Sequence, residues 1–116
     1  MVTEAYHAAE TLKSSGIDAE VVDLRTLRPF DEEIILSSLA KTGRVLIADT
    51  GWKTGGMTAE IGAFLCENGF PDLKAPISRI ACPDIPTPSG YSLEEAFYPG
   101  AADIVVAARK LMDWGR

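Results

Sequence analysis

Four consecutive apolar residues, Val45-Leu46-Ile47-Ala48, stand between Arg44 and Asp49. No other feature constrains the fold as much. A strand with one wet face alternates apolar and polar residues. A strand that is apolar at every position is covered on both faces, and such strands belong to parallel sheets. Successive parallel strands are joined by crossovers of a dozen residues or more, usually helices. The remaining sequence therefore has to supply helices before and after this run.

It does so on both sides. Residues 1–15 read as a helix, with Ala5, Ala8, Ala9 and Leu12 at helical spacing and Gly16 as its stop. Ala19–Leu24 reads as a short strand, apolar at Val21, Val22 and Leu24. The link D-L-R-T-L-R-P-F-D (Asp23–Asp31) then leads from that strand into helix 32–42. Pro29 biases Arg28 toward an extended conformation. Asp31 is the expected N-cap, Glu32 and Glu33 suit the first turn, and Phe30 with Ile35 forms a hydrophobic staple. Ile35, Leu36 and Leu39 form the buried stripe, and Gly43 ends the helix.

After the central run, Thr50–Gly56 reads as a loop and residues 57–68 as a helix with Met57, Ile61, Phe64 and Leu65 on one stripe. Gly69, Phe70 and Pro71 close it. Ile77–Ala81 is a further strand. Pro83, Pro86 and Pro88 keep Cys82–Gly90 irregular. Ser92-Leu93-Glu94-Glu95 fits a capping box for a short helical turn, broken by Tyr98-Pro99-Gly100. Residues 102–113 form the last helix, with Ile104, Ala108, Leu111 and Met112 inward. Strands alternating with helices predict one α/β domain over 1–116, a three-layer α/β/α sandwich on a mainly parallel sheet. The first helix has no strand before it, which is unusual for this architecture and suggests a piece of a larger protein.

Charge narrows the function classes. Eleven basic against 17 acidic residues give a net charge of -6, which argues against nucleic acid as a partner. The acidity aids solubility and is compatible with a basic protein partner. Cys66 and Cys82 lie on separate elements without C-x-x-C spacing, so two free thiols are expected. No apolar run reaches the roughly 18 residues that span a membrane.

Few residues offer chemistry. Gly51–Gly56 follows a strand and opens a helix, the setting of an anion loop, with Lys53 as a candidate contact. It matches neither common phosphate-loop pattern, and a tight strand-to-helix turn is the favoured explanation. Glu32–Glu33 and Glu94–Glu95 sit in first helical turns, where dipole compensation accounts for them. His7 falls off its helix stripe, and a single histidine makes a zinc site improbable. Arg25 and Arg28 could grip a carboxylate or a phosphate, or an acidic neighbour in an interface. Trp52, Tyr91, Phe97 and Tyr98 lie on irregular segments or helix starts beside prolines and acids, where they are either interface anchors or plugs at the edges of a small core. No nucleophile–base set has recognisable spacing. The candidate interface is therefore Arg25, Arg28, Trp52, Tyr91, Glu94, Glu95 and Tyr98, with no catalytic, cofactor-binding or metal-binding residue.

The ordered set Gly16–Asp31, Lys41–Asp49 (K-T-G-R-V-L-I-A-D), Gly55–Ile61 (G-G-M-T-A-E-I), Ala75–Ile80 (A-P-I-S-R-I), Asp84–Pro88 (D-I-P-T-P) and Leu93–Pro99 (L-E-E-A-F-Y-P) resembles the C-terminal domain of the beta subunit of 2-oxo acid dehydrogenase first components, of the pyruvate, branched-chain and acetoin types. The resemblance covers nearly the whole chain. It implies a transketolase C-terminal fold. It also implies a parent enzyme that decarboxylates a 2-oxo acid on thiamine diphosphate and magnesium and passes the acyl group to a lipoyl arm. Those cofactors would be held by the alpha subunit and the N-terminal beta-subunit domain, not by this domain, which lacks a G-D-G motif.

The implied role here is assembly. The partners would be the beta-subunit N-terminal domain, the alpha subunit, a second beta subunit and, in some members, the peripheral binding domain of the acyltransferase, in the bacterial cytoplasm or the mitochondrial matrix. Members usually carry a strand before the first helix. Its absence here predicts a gap between strands 19–24 and 44–49 that stays open, closes up or accepts a strand from another molecule. Two other readings stay open: the C-terminal domain of a transketolase or deoxyxylulose phosphate synthase-like enzyme, and a stand-alone protein-binding module.

Overall fold

The computed structural model describes all residues, 1–116. Five α-helices, one 3-10 turn and two strands follow in the order α1 (Val2–Ser14), α2 (Glu32–Thr42), β1 (Leu46–Trp52), α3 (Met57–Asn68), the turn Phe70–Asp72, β2 (Ser78–Cys82), α4 (Tyr91–Phe97) and α5 (Ala101–Met112). The two strands pair in parallel, with Leu46 opposite Ser78 and Ala48 opposite Ile80, and the register becomes irregular before Trp52.

Leu46–Ala48 of the central run open β1, with Val45 just before it, and alternate side chains go to two layers, as in a parallel strand. Leu46 and Ala48 pack on the α1–α5 layer, built on buried Ala8, Leu12, Ile104 and Val105. Val45 and Ile47 pack on the α2–α3 layer, built on Ile35, Leu39, Ile61 and Leu65. The three-layer α/β/α sandwich is thus present, on a sheet of two strands.

The expected third strand is not formed. Ala19–Leu24 has no regular structure. Residues 18–23 neither donate nor accept a backbone–backbone hydrogen bond. A strand exists only through its ladder, and these residues have no neighbour on which to build one. The segment is held instead at its ends. Glu20 accepts from the Lys41 ammonium on α2, and Leu24 packs against the α2–α3 core. The gap between this segment and β1 stays open, and Val45–Ala48 are only half-buried as a result.

The link into α2 follows its sequence. Asp31 Oδ1 accepts from Ile34 N–H at 3.0 Å, and Gly43 closes the helix in a left-handed conformation at φ 72°. Phe30 packs on the cluster containing Ile35, as a staple requires, and meets the Phe64 ring edge-on at 5.1 Å. Before it, Arg25 adopts φ 59°.

α4 corrects a local expectation. Ser92 is not its cap. The Gly90 carbonyl accepts from Leu93 and Glu94 N–H at 2.9 and 2.8 Å, so the helix has already begun at Tyr91 and Ser92 lies inside it. The reach-back half of a capping box occurs on α5, where Asp103 accepts from Gly100 N–H at 2.9 Å. Glu4 on α1 accepts from Ala101 N–H at 2.9 Å, so one helix caps the start of another. No helix is long and apolar enough to cross a membrane.

Candidate functional site

In open α/β sheets, ligands and partners collect at the carboxyl ends of the strands, where the loops emerge. Here β1 delivers residues 53–56 and β2 delivers residues 83–90 to the same end. Pairing in parallel places those loops side by side, and hydrogen bonds then join them.

Asp84 accepts the Thr54 backbone N–H at 3.2 Å and also the Thr54 hydroxyl. Lys53 N–H donates to the Cys82 carbonyl at 3.1 Å, and the Arg79 guanidinium donates to the Lys53 carbonyl at 3.1 Å. The Asp84 carboxyl is held below its ordinary range, chiefly by the Thr54 hydroxyl, then by the Thr54 N–H, with the Lys53 charge adding to both. Cys82 is buried and donates to the Thr50 carbonyl at 3.2 Å. Burial pushes its thiol up, and the nearby Asp49 carboxylate adds to the shift, so this is an inert thiol rather than a nucleophile. Cys66 is exposed, and both cysteines are free.

This geometry bears on the anion-loop reading of Gly51–Gly56. Gly51 lies within β1, not in a loop. The amides of Lys53 and Thr54 are already engaged, the first by the Cys82 carbonyl and the second by the Asp84 carboxylate. The two following glycines are needed by the turn. Gly55 has φ 69°, and a Cβ on Gly56 would lie 2.0 Å from the Trp52 carbonyl oxygen. The segment is a tight strand-to-helix turn tied to the neighbouring loop.

The exposed aromatics surround these loops in sequence. Trp52 is 57% exposed at the end of β1 and Tyr91 is 83% exposed at the start of α4. Glu94, Glu95 and Tyr98 are exposed too. Phe97 is the exception: it is buried and meets the Tyr98 ring edge-on at 5.1 Å. Phe97 therefore plugs the core, while Tyr98 stays on the surface. Every other residue of α4 is exposed, so the helix is moored through one anchor.

Arg25 and Arg28 lie elsewhere. Arg25 is exposed, and its Nε pairs with Asp23 at 2.8 Å within the same link. Arg28 is exposed before a cis Pro29, and neither arginine pairs with an α4 carboxylate. No group of three or more His, Cys, Asp or Glu side chains is arranged to hold a metal ion. The signals missed in the sequence were Asp84 and Thr54, which lie 30 residues apart and share no local motif.

A family model described as the transketolase C-terminal domain matches residues 1–104. The chain belongs to the transketolase C-terminal domain family. Within this family it is similar to beta subunits of several dehydrogenases. It is 42% identical over 111 residues to the mitochondrial pyruvate dehydrogenase E1 component subunit beta of Dictyostelium discoideum, covering 96% of this chain and 31% of the relative. It is 40% identical over 116 residues to the beta subunit of the acetoin:2,6-dichlorophenolindophenol oxidoreductase of Cupriavidus necator, covering all of this chain and 34% of that one. It is also 40% identical over 111 residues to the 2-oxoisovalerate dehydrogenase subunit beta of Bacillus subtilis, at 95% and 34% coverage. This transketolase C-terminal domain spans about a third of the length of those relatives.

Proposed function

We propose that this chain is the C-terminal assembly domain of the beta subunit of a 2-oxo acid dehydrogenase first component, and that its contribution is to dock partners. The observation that carries the reading is α4: a helix with Phe97 as its one buried side chain, and with Tyr91, Glu94, Glu95 and the following Tyr98 exposed, directly after the loop that carries Asp84. Exposed aromatics beside paired carboxylates suit a partner surface that offers arginine and lysine. The family relationship supplies the context. The similar beta subunits come from mitochondrial and bacterial systems, and an alpha subunit is the first partner to expect.

The parent reaction would be oxidative decarboxylation of a 2-oxo acid on thiamine diphosphate with magnesium. On this reading the cofactor and its metal are held by the alpha subunit and the N-terminal part of the beta subunit. No chemical step is assigned to this domain. Arg25 and Arg28 are exposed on the link into α2, which supports a contact with a neighbouring domain or a second beta subunit as part of this reading.

The test is to supply the purified 116-residue chain with thiamine diphosphate, magnesium and a 2-oxo acid, alone and together with an alpha subunit and the N-terminal part of a beta subunit. The reading expects no turnover by the chain alone and stable co-purification with the other two. Decarboxylation by the chain alone would sink it.

A further inference from the structure

The end of α3 sets an exposed side-chain amide directly before a buried glycine. Asn68 is the only asparagine of the chain, and there is no glutamine. It is exposed on the last turn, and Gly69 after it is buried. An Asn-Gly pair is open to attack of the glycine nitrogen on the side-chain amide, because no Cβ shields that nitrogen. We propose that Asn68-Gly69 is a spontaneous deamidation site, gated by opening of the last turn of α3, and that its isoaspartyl product loosens α3 from α2.

Packing demands the glycine. A Cβ on Gly69 would stand 2.6 Å from Leu39 Cδ2 and 3.2 Å from both Leu36 Cδ2 and the Leu65 carbonyl oxygen. Leu39 is 1% exposed, so its side chain has no free space to move into. α2 can therefore approach the end of α3 this closely only where position 69 carries no side chain. Asn68 is held as well. Its Nδ2 folds back and donates to the Phe64 carbonyl, one turn earlier, at 2.9 Å.

The reaction needs no partner but water. The Gly69 nitrogen attacks Asn68 Cγ. The N–Cγ bond forms, the Cγ–Nδ2 bond breaks, and Nδ2 leaves as ammonia with the proton of the Gly69 amide. Water then opens the imide at either carbonyl, to an aspartyl or an isoaspartyl residue. The native turn restrains the first step twice. The Gly69 N–H donates to the Leu65 carbonyl at 2.8 Å. The helical backbone of Asn68 also turns the Gly69 nitrogen away from Cγ. Opening the last turn releases both restraints, and helix ends open more readily than helix middles. The isoaspartyl form adds a methylene to the backbone just before Gly69, where the contact with Leu39 leaves no room. Either product puts a carboxylate at the negative end of α3 and removes the donor to the Phe64 carbonyl.

The experiment ages the 116-residue chain in neutral buffer and, in parallel, unfolded in guanidinium chloride. Intact mass and labelling by an isoaspartate methyltransferase read the product. With one side-chain amide in the chain, any deamidation reports Asn68. The proposal expects product in both samples, formed at least about tenfold more slowly in the folded chain. That slowing should lie between the hydrogen-exchange protection of the Gly69 amide and that of the slowest amides of α3. Asn68→Ser should give no product. The deamidated fraction, isolated by anion exchange, should unfold at a lower temperature than the unmodified chain. Four results overturn the proposal: no deamidation of the folded chain; equal rates in the two samples; slowing as large as the protection of the slowest amides, which means that only globally unfolded molecules react; or an unchanged unfolding temperature, which removes the effect on packing.

Discussion

Asp84 takes two hydrogen bonds from Thr54, one from the backbone N–H at 3.2 Å and one from the hydroxyl, and so fastens the loop after β2 to the loop after β1. Both donors favour the ionised carboxylate, which holds its pKa below the ordinary 3.8. A carboxyl depressed on folding contributes stability that is present above its unfolded pKa and is lost as pH falls through the lower folded value. The tie should therefore be intact at neutral pH and down to the ordinary range, and should release only in stronger acid. The Thr54 amide resonance, followed against pH, should titrate with a midpoint under 3.8 and lose that step in Asp84→Asn. A midpoint at or above the ordinary value contradicts the assigned bonds.

Glu4 caps a helix that begins 97 residues later. Its carboxylate satisfies the Ala101 N–H and lies at the positive end of α5. Glu4→Ala should destabilise the chain by about 1 kcal/mol. Denaturant unfolding should show a lower midpoint with an unchanged slope. Glu4→Gln should recover part of the loss, because an amide oxygen still accepts. Equal loss in both variants would mean that charge alone matters.

Thr58 buries a hydroxyl with no partner. Replacing an unpaired buried polar group with an apolar one of the same shape is neutral or stabilising. Thr58→Val should raise the unfolding midpoint of the isolated chain, by an amount corresponding to about 1 kcal/mol. A lower midpoint would show that the hydroxyl is satisfied in solution.

Leu65 is fully buried between α2 and α3. Leu65→Ala should cost about 2–5 kcal/mol through lost burial and the cavity left behind. Val106→Ala, on the exposed side of α5, should change stability by less than about 0.5 kcal/mol. Thermal unfolding of the pair separates core from surface, and similar midpoints would contradict the packing described.

Much of this architecture was legible because its signals are local. The Phe30–Asp31–Ile35 start, the Gly43 and Gly69 stops and the all-apolar Val45–Ala48 run each encode their own geometry. The strand at 19–24 was misread for a physical reason. Val21, Val22 and Leu24 do turn toward the interior side, but apolar pattern records burial, and a strand also needs a hydrogen-bonded neighbour that no pattern within six residues supplies. Ser92 misled because Gly90 starts α4 through its carbonyl, which leaves no side-chain signature. The Asp84–Thr54 and Glu4–Ala101 bonds join residues brought together only by the fold. Within the candidate site, the sequence could nominate Phe97 and Tyr98 together but not tell which of the two was the anchor.

The most direct measurement bears on whether α4 serves docking rather than catalysis. In a full-length beta subunit assembled with its alpha subunit, Glu94 and Glu95 are both replaced by lysine. Decarboxylation of a 2-oxo acid is followed with an artificial electron acceptor, and affinity for the acyltransferase peripheral binding domain is measured at low salt. Decarboxylation should stay within about twofold of the unmodified enzyme, while affinity should fall at least about tenfold and the difference should shrink as salt rises. Lost decarboxylation with unchanged affinity would contradict the assignment.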